Sequence, residues 1–180
     1  MLKTLPERIT RDEIRNALPE HHTQLDTLFA PHSDPQEGYR LRQVVLFGLA
    51  ECARGAQCKN LLQSGNINGF GELKYISHNG DRQFKYDTNG IESQITNRIT
   101  GQEIDHLISD LESDDPTRIE NAQIYRQTGG YDCSCEALDK LVDLASQVEG
   151  VVGAGLTGGG LGGCVLVLVK EEAVNTLVET

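Results

Sequence analysis

The residues with the clearest chemical potential form a glycine-rich run near the C-terminal end of the 180-residue chain. Seven of the 19 glycines fall within eleven residues: Gly153, Gly155, Gly158, Gly159, Gly160, Gly162 and Gly163. Glycine costs about 0.5–1 kcal/mol relative to alanine within regular structure, so the cluster indicates positive φ angles or close backbone contact. Consecutive amides can form a nest that binds a phosphate. The same glycines can instead form a tight turn beneath a neighbouring backbone, and the pattern alone leaves both uses open.

Known phosphate-loop signatures fit this run poorly. Residues 153–158 contain one Gly-x-Gly-x-x-Gly match, but no acidic ribose-binding residue can follow it within a new strand. A Walker A loop requires Gly-Lys followed by Ser or Thr, and no lysine follows any of these glycines. The run therefore predicts neither a dinucleotide-binding loop nor a P-loop.

The other reactive side chains show no catalytic or metal-binding pattern. His21, His22 and His32 lack the helical i, i+4 spacing of metal ligands, which favours a surface position for all three. The acidic residues of segment 103–120 lack EF-hand spacing and indicate a solvated helical face. We therefore expect no catalytic residue and no metal site in this chain.

Charge and composition exclude several classes of protein. The whole net charge of −11 lies in residues 91–180, which hold 5 basic and 16 acidic side chains. Because no basic cluster is present, neither nucleic acid nor an anionic membrane is an expected partner. The N-terminal residues lack the apolar core of a signal peptide, and no apolar stretch approaches the ~20 residues that span a bilayer. Five cysteines without a paired pattern favour reduced thiols in a cytoplasmic protein.

Two strands and a preceding helix are predicted to hold the glycine-rich run. Val151–Thr157 and Cys164–Val169 read as adjacent antiparallel strands. The second is apolar on both faces, which predicts a central strand with Cys164 in the core. The preceding helix is predicted to begin at a Ser134 cap and to direct four side chains inward, namely Leu138, Leu141, Val142 and Ala145.

The upstream sequence predicts mostly helices. Thr10 and Glu13 form a capping-box pattern, and Asn66 is a plausible N-cap. Residues 36–64 are predicted to be the main helical region, with an end near Gly55, a similar apolar stripe continuing at Cys58, Leu61 and Leu62, and a C-terminal cap at Gly65. Residues 79–81 (Asn-Gly-Asp) predict a turn. Further short strands are expected around Phe84, Tyr86 and Ile91. The predicted class is α+β, helix-rich, with a small antiparallel sheet packed against several helices.

The segment from Gly153 to Cys164 resembles the third conserved motif of the GHMP kinases, and most closely that of galactokinase-like sugar kinases. Their motif reads Gly-Ala-x-x-Thr-Gly-Gly-Gly-Phe-Gly-Gly-Cys, from which this chain departs at Leu161. Four upstream segments also resemble galactokinases and occur in the same order: Arg42–Val45, Gly65–Leu73, Ser77–His78 and Tyr131–Asp139. The resemblance covers about residues 36–180, with an acidic insertion at about 79–127. Residues 1–35 are predicted to be a connector or a helical lead-in.

The resemblance implies a ferredoxin-like C-terminal domain of an ATP-dependent sugar kinase. It places seven residues beside the nucleotide phosphates and the sugar: Thr157, Gly158, Gly159, Gly160, Leu161, Gly162 and Gly163. The N-terminal half of this family carries a sugar-binding motif, a Gly-Leu-Gly-Ser-Ser-Ala loop and a catalytic Asp, and none of these occurs here. ATP and Mg²⁺ are therefore implied for the full enzyme, with neither tightly bound to this chain.

The resemblance to GHMP kinases also predicts the partners of the chain. An N-terminal GHMP kinase domain is expected, either on the same polypeptide or as a separate chain, and this piece is expected to be inactive without it. The surface that such a domain would cover would favour homo-oligomers when exposed. Two alternatives stay open: a non-catalytic ligand-binding or regulatory module, and one subunit of a split kinase.

Overall fold

The computed structural model describes residues 1–90, 92–95, 97–158 and 162–180. Its elements, in chain order, are α1 (Arg11–Ala17), α2 (His22–Phe29), α3 (Leu41–Gln63), α4 (Ile67–Asp81), β1 (Phe84–Tyr86), β2 (Glu92–Gln94), α5 (Gly101–Leu111), α6 (Pro116–Asn121), α7 (Glu136–Ser146), β3 (Val151–Thr157), β4 (Cys164–Val169) and α8 (Val174–Glu179). Short 3₁₀ turns lie at Leu2–Thr4, Pro19–His21, Ile124–Arg126 and Glu171–Ala173. None of the helices described is both long and apolar enough to cross a membrane.

The strands form two small antiparallel sheets. β1 pairs with β2, and β3 pairs with β4 with Thr157 opposite Cys164. The α+β, helix-rich class is therefore confirmed, although the strands divide into two hairpins. The strand predicted around Phe84 and Tyr86 is β1, whereas Ile91 lies outside the described residues.

The core lies between α7 and the β3–β4 hairpin. Val142, Ala145 and Ala154 are buried at its centre. Partly buried apolar side chains surround them: Tyr75, Val165, Val167 and Leu177. On the strand side, α4 also packs closely along β3. β3 is thus held between two helices, and the glycine-rich turn continues from its C-terminal end.

Two glycines set the distance between α4 and β3. A Cβ at Gly71 would lie 2.2 Å from the carbonyl oxygen of Val152. A Cβ at Gly153 would lie 2.6 Å from the Cα of Gly71. These distances are far inside van der Waals contact, so the helix and the strand meet backbone to backbone.

Local signals in the sequence predicted several helix ends correctly. Thr10 and Glu13 form the capping box of α1, and the Asn66 side chain accepts a hydrogen bond from the Gly69 amide at the start of α4. The predicted end of the long helix at Gly55 is wrong, because α3 continues to Gln63. The predicted turn at residues 79–81 is also wrong, because these residues form the last turn of α4.

Four predictions about the C-terminal elements are wrong. β4 pairs only with β3 in the described part of the chain, so it is not a central strand, and Cys164 is exposed. The inward positions of α7 include Leu138, Val142 and Ala145, but Leu141 is 53% exposed. α7 begins at Glu136 with Cys135 as its N-cap, one residue after the predicted cap, Ser134.

Candidate functional site

The glycine-rich turn joins β3 to β4 at the closed end of their hairpin, next to the pair formed by Thr157 and Cys164. The structure describes Thr157, Gly158, Gly162 and Gly163 of the predicted site. Gly159, Gly160 and Leu161 lie outside the described residues. Gly158, Gly162 and Gly163 have φ angles of +88°, +107° and +125°. Each is in a region that other residues rarely adopt, so the backbone requires glycine here.

The glycines of the run serve two different purposes. Gly153 and Gly155 lie in β3, and a Cβ at Gly155 would lie 3.1 Å from the His78 Cβ, so both allow α4 to pack closely. At Gly158 and Gly162, a Cβ would have no heavy atom within 4 Å. The described part of the turn therefore has space around it and does not lie tightly beneath a neighbouring backbone. A tight structural turn beneath a neighbouring backbone is therefore not seen at Gly158 and Gly162, which have the same open, positive-φ geometry as Gly90.

Two side chains of α4 bind the residue that precedes the turn. The Lys74 Nζ donates to the carbonyl oxygen of Leu156 at 2.8 Å. The Leu156 amide donates to His78 Nδ1 at 3.4 Å. Both main-chain polar groups of Leu156 are therefore bound to side chains of α4. Within the hairpin, Leu156 lies opposite Val165 of β4.

The His78 ring is completely buried and has a carboxylate on its far side. Nε2 lies 3.3 Å from Oδ1 of Asp139, a fully buried residue of α7. Burial and, to a smaller extent, the nearby Arg82 charge lower the pKa of His78 from 6.5 to about 4, against the opposing effect of Asp139. The ring is therefore neutral near pH 7. Because Nδ1 accepts from Leu156, its proton is assigned to Nε2, facing Asp139.

Acid should weaken the fold through His78. Between pH 4 and 6.5 the unfolded chain binds a proton at His78 that the folded chain does not, so this contribution to stability is complete above pH 6.5 and falls as the pH drops toward 4. From about pH 7 to about pH 4, wild type should lose up to about 3 kcal/mol more stability than His78→Asn. Urea unfolding at several pH values measures the difference, and parallel curves for the two proteins would contradict it.

Two aspartates of α7 anchor the segment after α4. Asp139 Oδ2 accepts from the amides of Gln83 and Phe84, both at 2.9 Å. Asp143 binds the buried Arg82 guanidinium through two hydrogen bonds of 2.8 and 2.9 Å. Neither aspartate is predicted from the sequence to have a role. Their signal is that two acidic residues stand four positions apart in α7, directly beside its inward-facing apolar positions, whereas the acidic residues of an amphipathic helix are expected on its solvent-facing side.

The serine and cysteine side chains near α7 give no sign of nucleophilic chemistry. Ser134 Oγ is buried without a hydrogen-bond partner in the structure described, so its predicted role as a side-chain cap is wrong. The Cys133 thiol donates to Asp81 Oδ1, and burial and that carboxylate raise its pKa to about 12. All five cysteines are free. A thiol with so high a pKa is a poor nucleophile.

The described residues of the turn are Thr157 and three glycines, so main-chain amides are the groups that they could offer to an anion such as phosphate. Within the described ranges, no group of three or more His, Cys, Asp or Glu side chains could hold a metal ion. Among the described residues, the main-chain groups of the turn rather than a cluster of side chains are therefore the groups to test for ligand binding.

Comparison with known proteins shows what this chain is similar to. Residues 107–179 match the family model described as GHMP kinases C terminal. A galactokinase of Clostridium beijerinckii is 29% identical over 143 residues, covering 70% of this chain and 34% of the relative. Galactokinases of Bacillus subtilis and Homo sapiens are 43% identical over 49 residues and 49% identical over 43 residues.

The two shorter matches cover 27% and 24% of this chain, and 13% and 11% of the relatives. The matched part of the chain thus spans about a third or less of these relatives' lengths. The family model includes α7, the β3–β4 hairpin and the glycine-rich turn. Residues 107–179 are therefore similar to the C-terminal domain of GHMP kinases, and the chain is similar to galactokinases.

Proposed function

We propose that this chain is the C-terminal part of an ATP-dependent sugar kinase of galactokinase type. Its contribution is the glycine-rich turn from Thr157 to Gly163, placed beside the nucleotide phosphates and the sugar. The observation that carries this proposal is the match of residues 107–179 to the family model described as GHMP kinases C terminal, which includes the turn; at Gly158 and Gly162 the φ angle is positive and a Cβ would have no heavy atom of the described residues within 4 Å. Such a turn binds through its backbone and needs no acidic or basic side chain.

The turn would act by positioning and by stabilising charge. Phosphoryl transfer depends mainly on holding the reacting groups in line and neutralising negative charge on the transferred group. Main-chain amides held in a fixed conformation can donate to phosphate oxygens without reorganising during the reaction. The bonds from Lys74 and His78 to Leu156 would supply that rigidity. MgATP, when bound, supplies the phosphoryl group and the charge-neutralising ion.

The remaining parts of the active site would come from an N-terminal GHMP kinase domain. We assign to that domain the catalytic Asp, the Mg²⁺ ligands, most ATP contacts and the sugar-binding motif, because the chain lacks the Gly-x-Gly-Ser-Ser sequence of its phosphate loop. It would belong to the same polypeptide or to a separate cytoplasmic chain. Exposed apolar side chains such as Leu166 would contact it or, without it, a second copy of this chain.

A glycine substitution in the turn tests this function. The assay is phosphoryl transfer from ATP to galactose by the chain mixed with the N-terminal portion of a galactokinase. Gly158→Ala should raise the KM for ATP about tenfold or more, because alanine at φ +88° strains the turn and moves its amides. The KM for galactose should change less.

Gly90 provides a matched control for that substitution. Gly90 also has a positive φ, +76°, and a Cβ there would meet no atom within 4 Å. Gly90→Ala should therefore cause similar local strain, in the β1–β2 hairpin, without changing either KM. Equal effects of the two substitutions on the KM for ATP would show that the turn has no special role with the phosphates.

A further inference from the structure

The β3–β4 hairpin leaves main-chain groups of β3 outside its ladder. Strand edges of this kind carry N–H and C=O groups that need other partners. At Leu156, the last residue before Thr157, both groups are bound by side chains of α4: the amide by His78 and the carbonyl by Lys74. This peptide segment is the last of β3 before the glycine-rich turn, so its orientation sets the direction in which the turn begins.

Asp139 contacts the His78 ring on the side opposite to Leu156. The His78 Nε2 lies 3.3 Å from Oδ1 of Asp139, outside hydrogen-bond geometry, and both atoms are buried with no other hydrogen-bond partner among the described residues, so each is the polar group nearest to hand for the other. The other oxygen of Asp139 accepts the amides of Gln83 and Phe84, which fixes the carboxylate against the start of β1. A neutral imidazole whose proton lies toward Asp139 must present Nδ1 as an acceptor to Leu156. The contacts from Asp139 of α7 to His78 of α4, and from His78 to Leu156 of β3, therefore form one series that ends one residue before the turn.

We propose that His78 and Lys74 are positioning residues for the glycine-rich turn and that Asp139 sets the imidazole tautomer that makes this possible. The inference rests on the proposed function, because it assigns these residues to the turn's contact with phosphate. His78 touches neither nucleotide nor sugar in this account. Its effect passes through the Leu156 peptide.

Two substitutions at position 78 separate this role from simple packing. The side-chain oxygen of asparagine can take the place of Nδ1 and accept from the Leu156 amide, whereas the longer glutamine places its amide group where Nε2 lies, facing Asp139. In the isolated full chain, His78→Gln should therefore accelerate hydrogen exchange at the Leu156 amide about tenfold relative to His78→Asn, as expected for one lost hydrogen bond. NMR shifts of the Thr157, Gly158, Gly162 and Gly163 amides should move more in His78→Gln.

The wild-type ring supplies a measurement that needs no variant to fold. Long-range ¹H–¹⁵N spectra of His78 near pH 7 should show a neutral ring with its proton on Nε2. A proton on Nδ1 would overturn the inference, since that nitrogen could not then accept from Leu156. Equal exchange rates at the Leu156 amide in His78→Asn and His78→Gln would overturn it as well.

Activity in the mixture with an N-terminal galactokinase portion links the contact to phosphate. His78→Gln and Lys74→Met should each raise the KM for ATP several-fold more than the KM for galactose, while Lys59→Met, on the exposed surface of α3, should change neither. Unchanged KM values for ATP in both α4 variants would refute the positioning role. A wild-type mixture without activity would refute the proposed function, whereas the tautomer and exchange results would still decide whether His78 holds the turn.

Discussion

Gly71→Ala should destabilise the fold by more than about 3 kcal/mol, the largest effect expected from adding a single methyl group to this chain. The new Cβ would lie 2.2 Å from the Val152 carbonyl oxygen and 2.6 Å from its carbon. These are backbone atoms, so no side-chain rotation can relieve the overlap, and α4 must move away from β3. That movement would also break the contacts that His78 and Lys74 make with Leu156. Urea unfolding followed by circular dichroism measures the loss.

Gly48→Ala is the matched control for this prediction. Gly48 is also in a helix, α3, but a Cβ there would meet nothing within 4 Å. Because alanine favours helix over glycine, Gly48→Ala should stabilise the protein by about 0.5–1 kcal/mol. The two substitutions should thus have opposite signs. A Gly71→Ala variant as stable as wild type would show that α4 and β3 do not meet backbone to backbone.

Asp143→Asn should cost about 3–5 kcal/mol, because it leaves the buried Arg82 guanidinium without its charge partner. Asp143 makes two hydrogen bonds with Arg82 and also accepts the Tyr86 amide at 2.8 Å. The pair joins α7 to the segment that links α4 with β1. Removing one charge therefore loosens three elements together. Chemical denaturation gives the change in the free energy of unfolding.

An exposed ion pair is the control for the effect of burial on the stability cost of Asp143→Asn. Lys3 and Asp105 form a salt bridge with side chains more than half exposed, so Asp105→Asn should cost less than about 1 kcal/mol. Replacing both Arg82 and Asp143 with Met and Leu should restore part of the stability lost in Asp143→Asn, because neither buried charge then stays unpaired. A cost at Asp143 no greater than that at Asp105 would contradict the buried-pair account.

Signals confined to a few residues predicted local structure well. The capping box at Thr10 and Glu13 and the Asn66 cap each depend on side chains three residues away, and the structure contains both. The glycine-rich run likewise predicted a turn between two antiparallel strands, which the register of Thr157 with Cys164 confirms. These features need no knowledge of distant contacts.

Predictions that depended on distant contacts failed. Residues 79–81 have turn propensity, but they form the last turn of α4, where Gly80 packs against a distant part of the chain: a Cβ there would lie 2.4 Å from the Thr128 carbonyl oxygen. The apolar composition of β4 predicted a central strand. A strand is central only if it has a neighbour on each side, and β4 pairs only with β3 among the described residues. The buried contact between His78 and Asp139 joins residues 61 positions apart, so neither residue's neighbours indicate it.

The most direct test of the central claim is galactose-dependent release of ADP from ATP, measured for three samples. The samples are this chain alone, the N-terminal portion of a galactokinase alone, and their mixture. If the chain supplies the glycine-rich turn to an active site whose catalytic groups lie elsewhere, only the mixture should release ADP above background. Release by this chain alone, or a mixture no more active than the N-terminal portion, would contradict the account.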